Sequence, residues 1–214
     1  MNPRQWTPIK SYSDILFEQH GNIAKVSINR PEVYNAFRPQ TVMDMLDAFD
    51  ICRERADIGV VILTGVGDKA FCSGADLQAR GGKSISGGEG SYIALTRHYN
   101  PMMMNLARLN ILVITAVNGA AAGVGCSIGL AGDFVIAGKS GYFLQAFVNI
   151  GLVPDGGASW MLPRMVGKAR ATEMMMLGEK ISADKAYDWG MIYKVVEDAD
   201  LLAEARALAT RLAN

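Results

Sequence analysis

ILVITAVNGAAAGVGCS, from Ile111 to Ser127, runs from a strand into a helix across a turn almost stripped of side chains. Ile111 to Val117 is apolar or β-compatible throughout, which predicts a buried strand. Gly119, Ala120, Ala121, Ala122, Gly123 and Gly125 then leave the backbone open to close approach by another molecule. The N–H groups at a helix start have no intrahelical partner and aim positive partial charge outward, which suits a developing oxyanion. A second segment of similar design, KAFCSGADL (Lys69 to Leu77), follows the apolar strand VVILTG (Val60 to Gly65). Two such donors meeting at one point would make an oxyanion hole. Either segment taken singly reads equally well as tight packing. Dinucleotide binding is excluded, because Gly123-Val124-Gly125 continues as Cys126, Ser127 and Ile128 and the full GxGxxG spacing is absent.

The chain has 214 residues, half of them hydrophobic (50%), enough to bury the core of one domain. Lys plus Arg and Asp plus Glu are equal at 21 each, so no global field favours nucleic acid or an anionic membrane. An anionic ligand would need local cations, and Arg30, Arg38, Lys69, Arg80 and Lys83 lie near the motifs. The three cysteines, Cys52, Cys72 and Cys126, have no CxxC spacing, which points to a reducing compartment and a cytoplasmic location. The N-terminal stretch MNPRQWTPIKSYSD has neither a basic region nor an apolar run, against a signal peptide. No apolar segment reaches the roughly 18 residues that a membrane span requires. With only His20 and His98, an imidazole-based metal site is not expected.

Strands are predicted at Asp14 to Gln19 and Ile23 to Asn29, joined at His20-Gly21-Asn22 and ended by Pro31. Val42, Met45, Leu46, Phe49 and Cys52 recur at spacings of three and four, so Thr41 to Arg55 reads as an amphipathic helix with Cys52 in the core. The loop RGGKSISGGEGS (Arg80 to Ser91) is glycine- and serine-rich and reads either as a surface connection or as a lid. A helix from about Tyr92 to Leu109 follows, its methionines at 102 to 104 read as core filler. After the segment at Ile111 come a short helix to Leu130 and a strand near Asp133 to Ala137. A Pro-Asp-Gly turn within GLVPDGGASWMLPRMVG (Gly151 to Gly167) leads into another helix. Ser182 caps a helix that stops at Gly190, Ile192 to Val196 is a last strand, and Leu201 to Leu212 a final helix. Strands and helices alternate, so the class is α/β.

The segments NRPEVYNAFRP, AFCSGADL and AVNGAAAGVGCSIGLAGDFVIA, with the run from Gly151 to Val196, resemble the crotonase superfamily of acyl-CoA-processing enzymes. The resemblance spans about Ile15 to Leu212. It implies a spiral of repeated ββα units in a single domain over residues 1–214, with the family's C-terminal helical extension missing or incomplete. It also implies assembly as trimers or pairs of trimers. The substrate would be a coenzyme A thioester, with no cofactor beyond the coenzyme A it carries. The enolate would be held by two backbone N–H groups, which fall on Ala75 and Val124, and Val124 stands where the family commonly has glycine. Asn35, Ala36 and Phe37 match the segment that contacts the nucleotide end of coenzyme A. Ser73, Gly74, Leu77, Gly123, Ser127, Phe147 and Trp160 fall along the bound thioester. Asp76 falls there too, and is read as structural first.

The chain departs from the family at the two hydratase glutamates, whose positions are held here by Ser127 and Phe147. Neither side chain can serve as a carboxylate base at neutral pH. Asp155, in Val-Pro-Asp-Gly-Gly, matches the single acid/base or nucleophile of some relatives. Set against an apolar acyl pocket near Phe147 and Trp160, its pKa should rise by desolvation. The resemblance therefore favours an isomerase of the phenylacetate-degradation type. Ordinary enoyl-CoA hydration is kept as an alternative, and two further readings stay open. One is a bond-forming or ring-cleaving crotonase using the same Asp155, with Tyr92 or Tyr99 holding a second oxygenated group. The other is a non-catalytic acyl-CoA binder.

Overall fold

The computed structural model describes residues 6–77 and 88–213. The loop from Arg80 therefore falls mostly outside the described residues, as do Arg80 and Lys83.

A long sheet carries the fold. Its order is β1 (Thr7–Ser11), β2 (Ile15–His20), β3 (Ile23–Ile28), β4 (Val60–Gly65), β6 (Leu112–Val117), β8 (Phe134–Gly138) and β11 (Lys194–Val196). β1, β2 and β3 pair antiparallel, and β3 onward is parallel. His20 faces Ile23 across the two-residue corner Gly21-Asn22, with Gly21 at φ 59°. β4 is buried on both sides. Val61 and Leu63 enter the main core, and Val60 and Ile62 pack with Ile114, Ile136, Leu201, Ala205 and Leu208 under α7 (Leu201–Leu212). That is why VVIL reads as an unbroken apolar run rather than an alternation.

A second, smaller sheet has the order β10 (Ile181–Ser182), β9 (Tyr142–Leu144), β7 (Ala120–Ala122) and β5 (Ala70–Cys72). β5, β7 and β9 are parallel to one another. Each follows directly on a strand of the large sheet: β4 leads to β5, β6 to β7 and β8 to β9. β7 continues into α4 (Val124–Leu130), and β9 leads through a 3-10 turn (Ala146–Ile150) to α5 (Ala158–Leu177). These are the repeated ββα units, and the expected α/β spiral is present.

Several boundaries differ from those read in the sequence. The small-residue segment Ala120–Ala122 is a strand, not a turn, and β1, β5, β9 and β10 were not foreseen. The helix expected over Tyr92 to Leu109 consists of α2 (Gly88–Ala94), a π turn (Leu95–Tyr99) and α3 (Asn100–Ala107). Pro101 lacks the N–H that would close on residue 97, and the helix widens just before it. α1 (Pro39–Glu54) starts two residues early, at a proline suited to a first helical turn. Cys52 and Met102 are buried, Met103 is 9% exposed, and Met104 is exposed. Ser182 does cap α6 (Ala183–Asp188), accepting from the Lys185 N–H at 3.2 Å. No helix among the described residues is long and apolar enough to cross a membrane.

Candidate active site

β5 and β7 pair in parallel, Ala70 with Ala120 and Cys72 with Ala121, so both chains leave the small sheet at the same end. After β5 comes Ser73-Gly74-Ala75-Asp76-Leu77, and after β7 comes Gly123 and then α4. Gly74 (φ 104°) and Gly123 (φ 55°, ψ −129°) hold conformations that a side chain would strain. The segments touch backbone to backbone. A Cβ on Gly74 would stand 3.0 Å from the Ala122 oxygen, and one on Gly125 would stand 2.2 Å from the Cys72 oxygen. The corners behind them are tied by side-chain amides. Asn118 accepts from the Gly65 N–H (3.2 Å) and donates to the Gly65 and Gly67 carbonyls (2.9 and 2.7 Å).

Phe37 makes an isolated parallel bridge with Ala75. Its N–H donates to the Gly74 carbonyl at 2.7 Å, and its carbonyl accepts from the Asp76 N–H at 2.8 Å. In a parallel ladder that pattern spends the neighbours' groups and turns the N–H of Ala75 to the opposite side. Val124 is the first residue of α4, where an N–H has no intrahelical acceptor. Among the described residues neither of these two N–H groups is bonded within the chain. They are two free donors on adjacent segments.

Asp155 lies in the turn before α5, which Gly156 (φ 60°) and Gly157 (φ 83°) bend through the left-handed region. Its carbonyl accepts from the Ser127 hydroxyl at 3.0 Å and from the Ala158 N–H at 3.1 Å. Gly156 rests on α4: a Cβ there would lie 2.8 Å from Ser127 Cβ and 3.4 Å from Val124 Cγ2. The Val124 side chain, 3% exposed, is thus packed under this turn. Asp155 Oδ1 is buried and has no hydrogen-bond partner among the described residues. Burial pushes the carboxyl up to about 6 from its ordinary value near 3.8.

The other sequence-derived candidates are placed unequally. Phe147 is 6% exposed, its ring edge 4.0 Å from where a Gly123 Cβ would be, so it borders the donor segment. Ser127 is fully buried and engaged with Asp155. Ser73, Leu77 and Trp160 are exposed, with Arg164 lying 4.3 Å over the Trp160 ring. Asn35, Ala36 and Phe37 are buried, and Asn35 is used internally: it accepts from the Arg30 N–H (3.0 Å) and donates to the Val66 and Ala70 carbonyls (3.0 and 2.7 Å). Tyr92 is exposed and Tyr99 is partly buried against the core.

Arg30 and Arg38 prove to be braces rather than open cations. Arg30 donates to Asp76 at 3.0 Å and to the Ala36 carbonyl, and its Nε is 3.8 Å from Asp14. Arg38 grips Asp14 with two nitrogens (2.6 and 2.7 Å). Burial alone would raise the Asp14 carboxyl, but hydrogen bonds from Arg38, Thr41 and Ser13 hold it down at about 2. The cations were visible in the sequence, but their partners, as many as 46 residues away, were not. Lys69 is exposed. Gln145, fully buried beside Cys126, was not singled out. Arg30→Met should destabilise the fold by about 3 kcal/mol in urea titration, because it removes the guanidinium that bonds Asp76 and the Ala36 carbonyl and lies beside buried Asp14.

With this geometry in hand, the chain can be placed among known proteins. The family description Enoyl-CoA hydratase/isomerase matches residues 18–214. The chain belongs to the enoyl-CoA hydratase/isomerase family. It is 39% identical over 199 residues to the 1,2-epoxyphenylacetyl-CoA isomerase of Escherichia coli (strain K12), covering 93% of this chain and 76% of that protein. It is 40% identical over 203 residues to a Rhodobacter capsulatus protein named "Probable enoyl-CoA hydratase", covering 95% and 76%. The crystal structure of an enoyl-CoA hydratase from Bacillus anthracis superposes with a TM-score of 0.89 at 32% identity, covering 94% of this chain and 77% of that one.

Proposed function

We propose that the protein is an isomerase of acyl-CoA thioesters. The N–H groups of Ala75 and Val124 hold the thioester oxygen, and Asp155 carries a proton between two carbons of the acyl group. The observation that bears this reading is the state of Asp155: a half-buried carboxyl with an unpartnered Oδ1 among the described residues, raised to about 6 and seated on the helical turn that presents the Val124 N–H. The two positions where the family's hydratases carry glutamates hold a buried serine and a buried phenylalanine, Ser127 and Phe147. The name of the Escherichia coli relative points the same way.

With a 3-enoyl thioester, ionised Asp155 takes a proton from C2, and the C–H electron pair flows into the carbonyl to give a dienolate. Its oxygen charge is met by the two N–H groups, which need no reorganisation at that moment. Asp155, now protonated, returns the proton to C4 and the 2-enoyl thioester forms. Atoms and charge balance without water or a second acid. Ring-epoxide and other aromatic-derived thioesters are substrates of the same class. The proposal includes assembly as a trimer or pair of trimers, readable by light scattering, and work in the cytoplasm on fatty or aromatic acids. The test is incubation with 3-enoyl-CoA in D₂O. Deuterium entry with double-bond migration supports the reading, and addition of water to 2-enoyl-CoA without migration would make the protein a hydratase.

The same carboxyl gives two pH effects of defined sign. As a base it must be ionised, so kcat/KM should rise with pH through about 6 and level off above it. For stability, an aspartate in the unfolded chain titrates near 3.9 and folding raises it, so the protonated form favours the folded state. That contribution is complete below about pH 4 and lost as pH climbs through about 6. Asp155→Asn should therefore stabilise the protein by about 2 kcal/mol at pH 8, a figure discounted for partial exposure, and leave it unchanged at pH 3.5. Urea titrations at the two pH values check this.

A further inference from the structure

We infer that Ser127 is a positioning residue that sets Asp155 against the Val124 donor, a role that rests on Asp155 being the proton carrier. Val124 and Ser127 are three residues apart on α4, hence neighbours on one face of its first turn. Ser127 is fully buried, so its hydroxyl is closed to a substrate. It donates instead to the Asp155 carbonyl at 3.0 Å. Among the described residues this is the one hydrogen bond between α4 and the turn at residues 151–157. The carbonyl would not be orphaned without it, because the Ala158 N–H also reaches it at 3.1 Å. What the serine adds is a tie between elements 28 residues apart.

Packing completes the register. Gly156 presses so closely on Ser127 and Val124 that a single Cβ on it would fall 2.8 Å from one and 3.4 Å from the other. The turn is held down by the hydroxyl and held off by the Val124 side chain. The carboxyl has no hydrogen-bond partner at Oδ1 among the described residues, so no bond there holds it in place and the position of the turn's backbone bears on it directly. A larger side chain at 127 would lift Gly156, and with it Asp155, before it could reach a substrate.

The experiment compares Ser127→Ala, Ser127→Cys and Asp155→Asn with the parent protein. Isomerisation of 3-enoyl-CoA is followed in D₂O across pH 5 to 9, with affinity for a non-reactive acyl-CoA thioether and the melting temperature measured alongside. Ser127→Ala should lower kcat about tenfold or more. Its KM and thioether affinity should stay within about twofold of the parent's, and the acid limb of its pH profile should move. Ser127→Cys keeps the volume with a poor donor and should behave likewise; it replaces the alanine variant if that one does not fold. Parent-like kcat and profile in both variants would overturn the inference, and so would a loss of kcat that tracks lost affinity or melting temperature with an unmoved profile. Asp155→Asn separates this failure from that of the proposed function: if it still isomerises, the reading of Asp155 has failed, whatever Ser127 does.

Discussion

Asp155→Asn is expected to lose about a thousandfold in kcat for double-bond migration, with KM changed by less than about threefold. Asparagine has nearly the same shape and can sit in the same turn, where the Ser127 and Ala158 bonds go to the backbone carbonyl and not to the side chain. The amide cannot accept a proton from carbon, so on the proposed mechanism the step that begins the reaction is lost while thioester binding at Ala75 and Val124 is kept. The two oxyanion donors should leave a residual rate above that in water. The check is single-turnover deuterium exchange at C2 alongside steady-state kinetics. Exchange at the parent rate would show that another group carries the proton. A parallel rise in KM would mean that the carboxyl serves binding.

Gly125→Ala is expected to damage both stability and catalysis, by about 3 kcal/mol in unfolding free energy and a hundredfold or more in kcat. The new Cβ would stand 2.2 Å from the Cys72 oxygen and 2.8 Å from its carbonyl carbon, and this is backbone that cannot rotate away. β5 and α4 must part, and the donors that follow Cys72 and precede Gly125 part with them. Gly129→Ala, one turn further along α4, is the matched control. There the added carbon meets the Phe71 ring at 3.5 Å, an ordinary contact, and alanine gains helix propensity over glycine. Urea titration and kcat for the two variants should diverge sharply. Similar losses in both would mean that α4 tolerates no Cβ anywhere, and that the close approach at Cys72 has no special bearing on the site.

The long strands were legible because burial on both faces leaves a continuous apolar run, as in Val60 to Leu63. α1 and α7 were legible from their periodicity. The small sheet was not. β5, β7 and β9 have three residues each, too few to show an alternation, and three alanines carry no strand signal of their own. β7 is a strand because β5 and β9 flank it, which is information held elsewhere in the chain. β1 was hidden for another reason: TPIKS is mostly exposed and irregular in register between Pro8 and Lys10. At the site, the small-residue segments could be read directly, whereas Asp155 stood out from an ordinary Pro-Asp-Gly turn only through the family resemblance, which also led to the expected desolvation of its carboxyl. The neighbours named for that effect proved unequal, with Phe147 buried and Trp160 62% exposed. The ties between distant segments, Ser127 to Asp155 and Arg30 to Asp76, had no local signature at all.

The three-residue length of β7 has a consequence for how this chain can change. Side chains and peptide groups alternate direction along a strand, so inserting or deleting one residue between Gly119 and Gly123 turns the following amide to face the other way. A strand of eight residues could absorb such a slip at its far end. β7 has no far end: Ala122 is two positions from the Val124 donor, and Gly119 already lies where a Cβ would strike Lys69 at 2.5 Å. Length variation in this segment is therefore closed to gradual exploration. Substitutions around it are free to accumulate, but its count of residues is fixed by the close approaches at both of its ends.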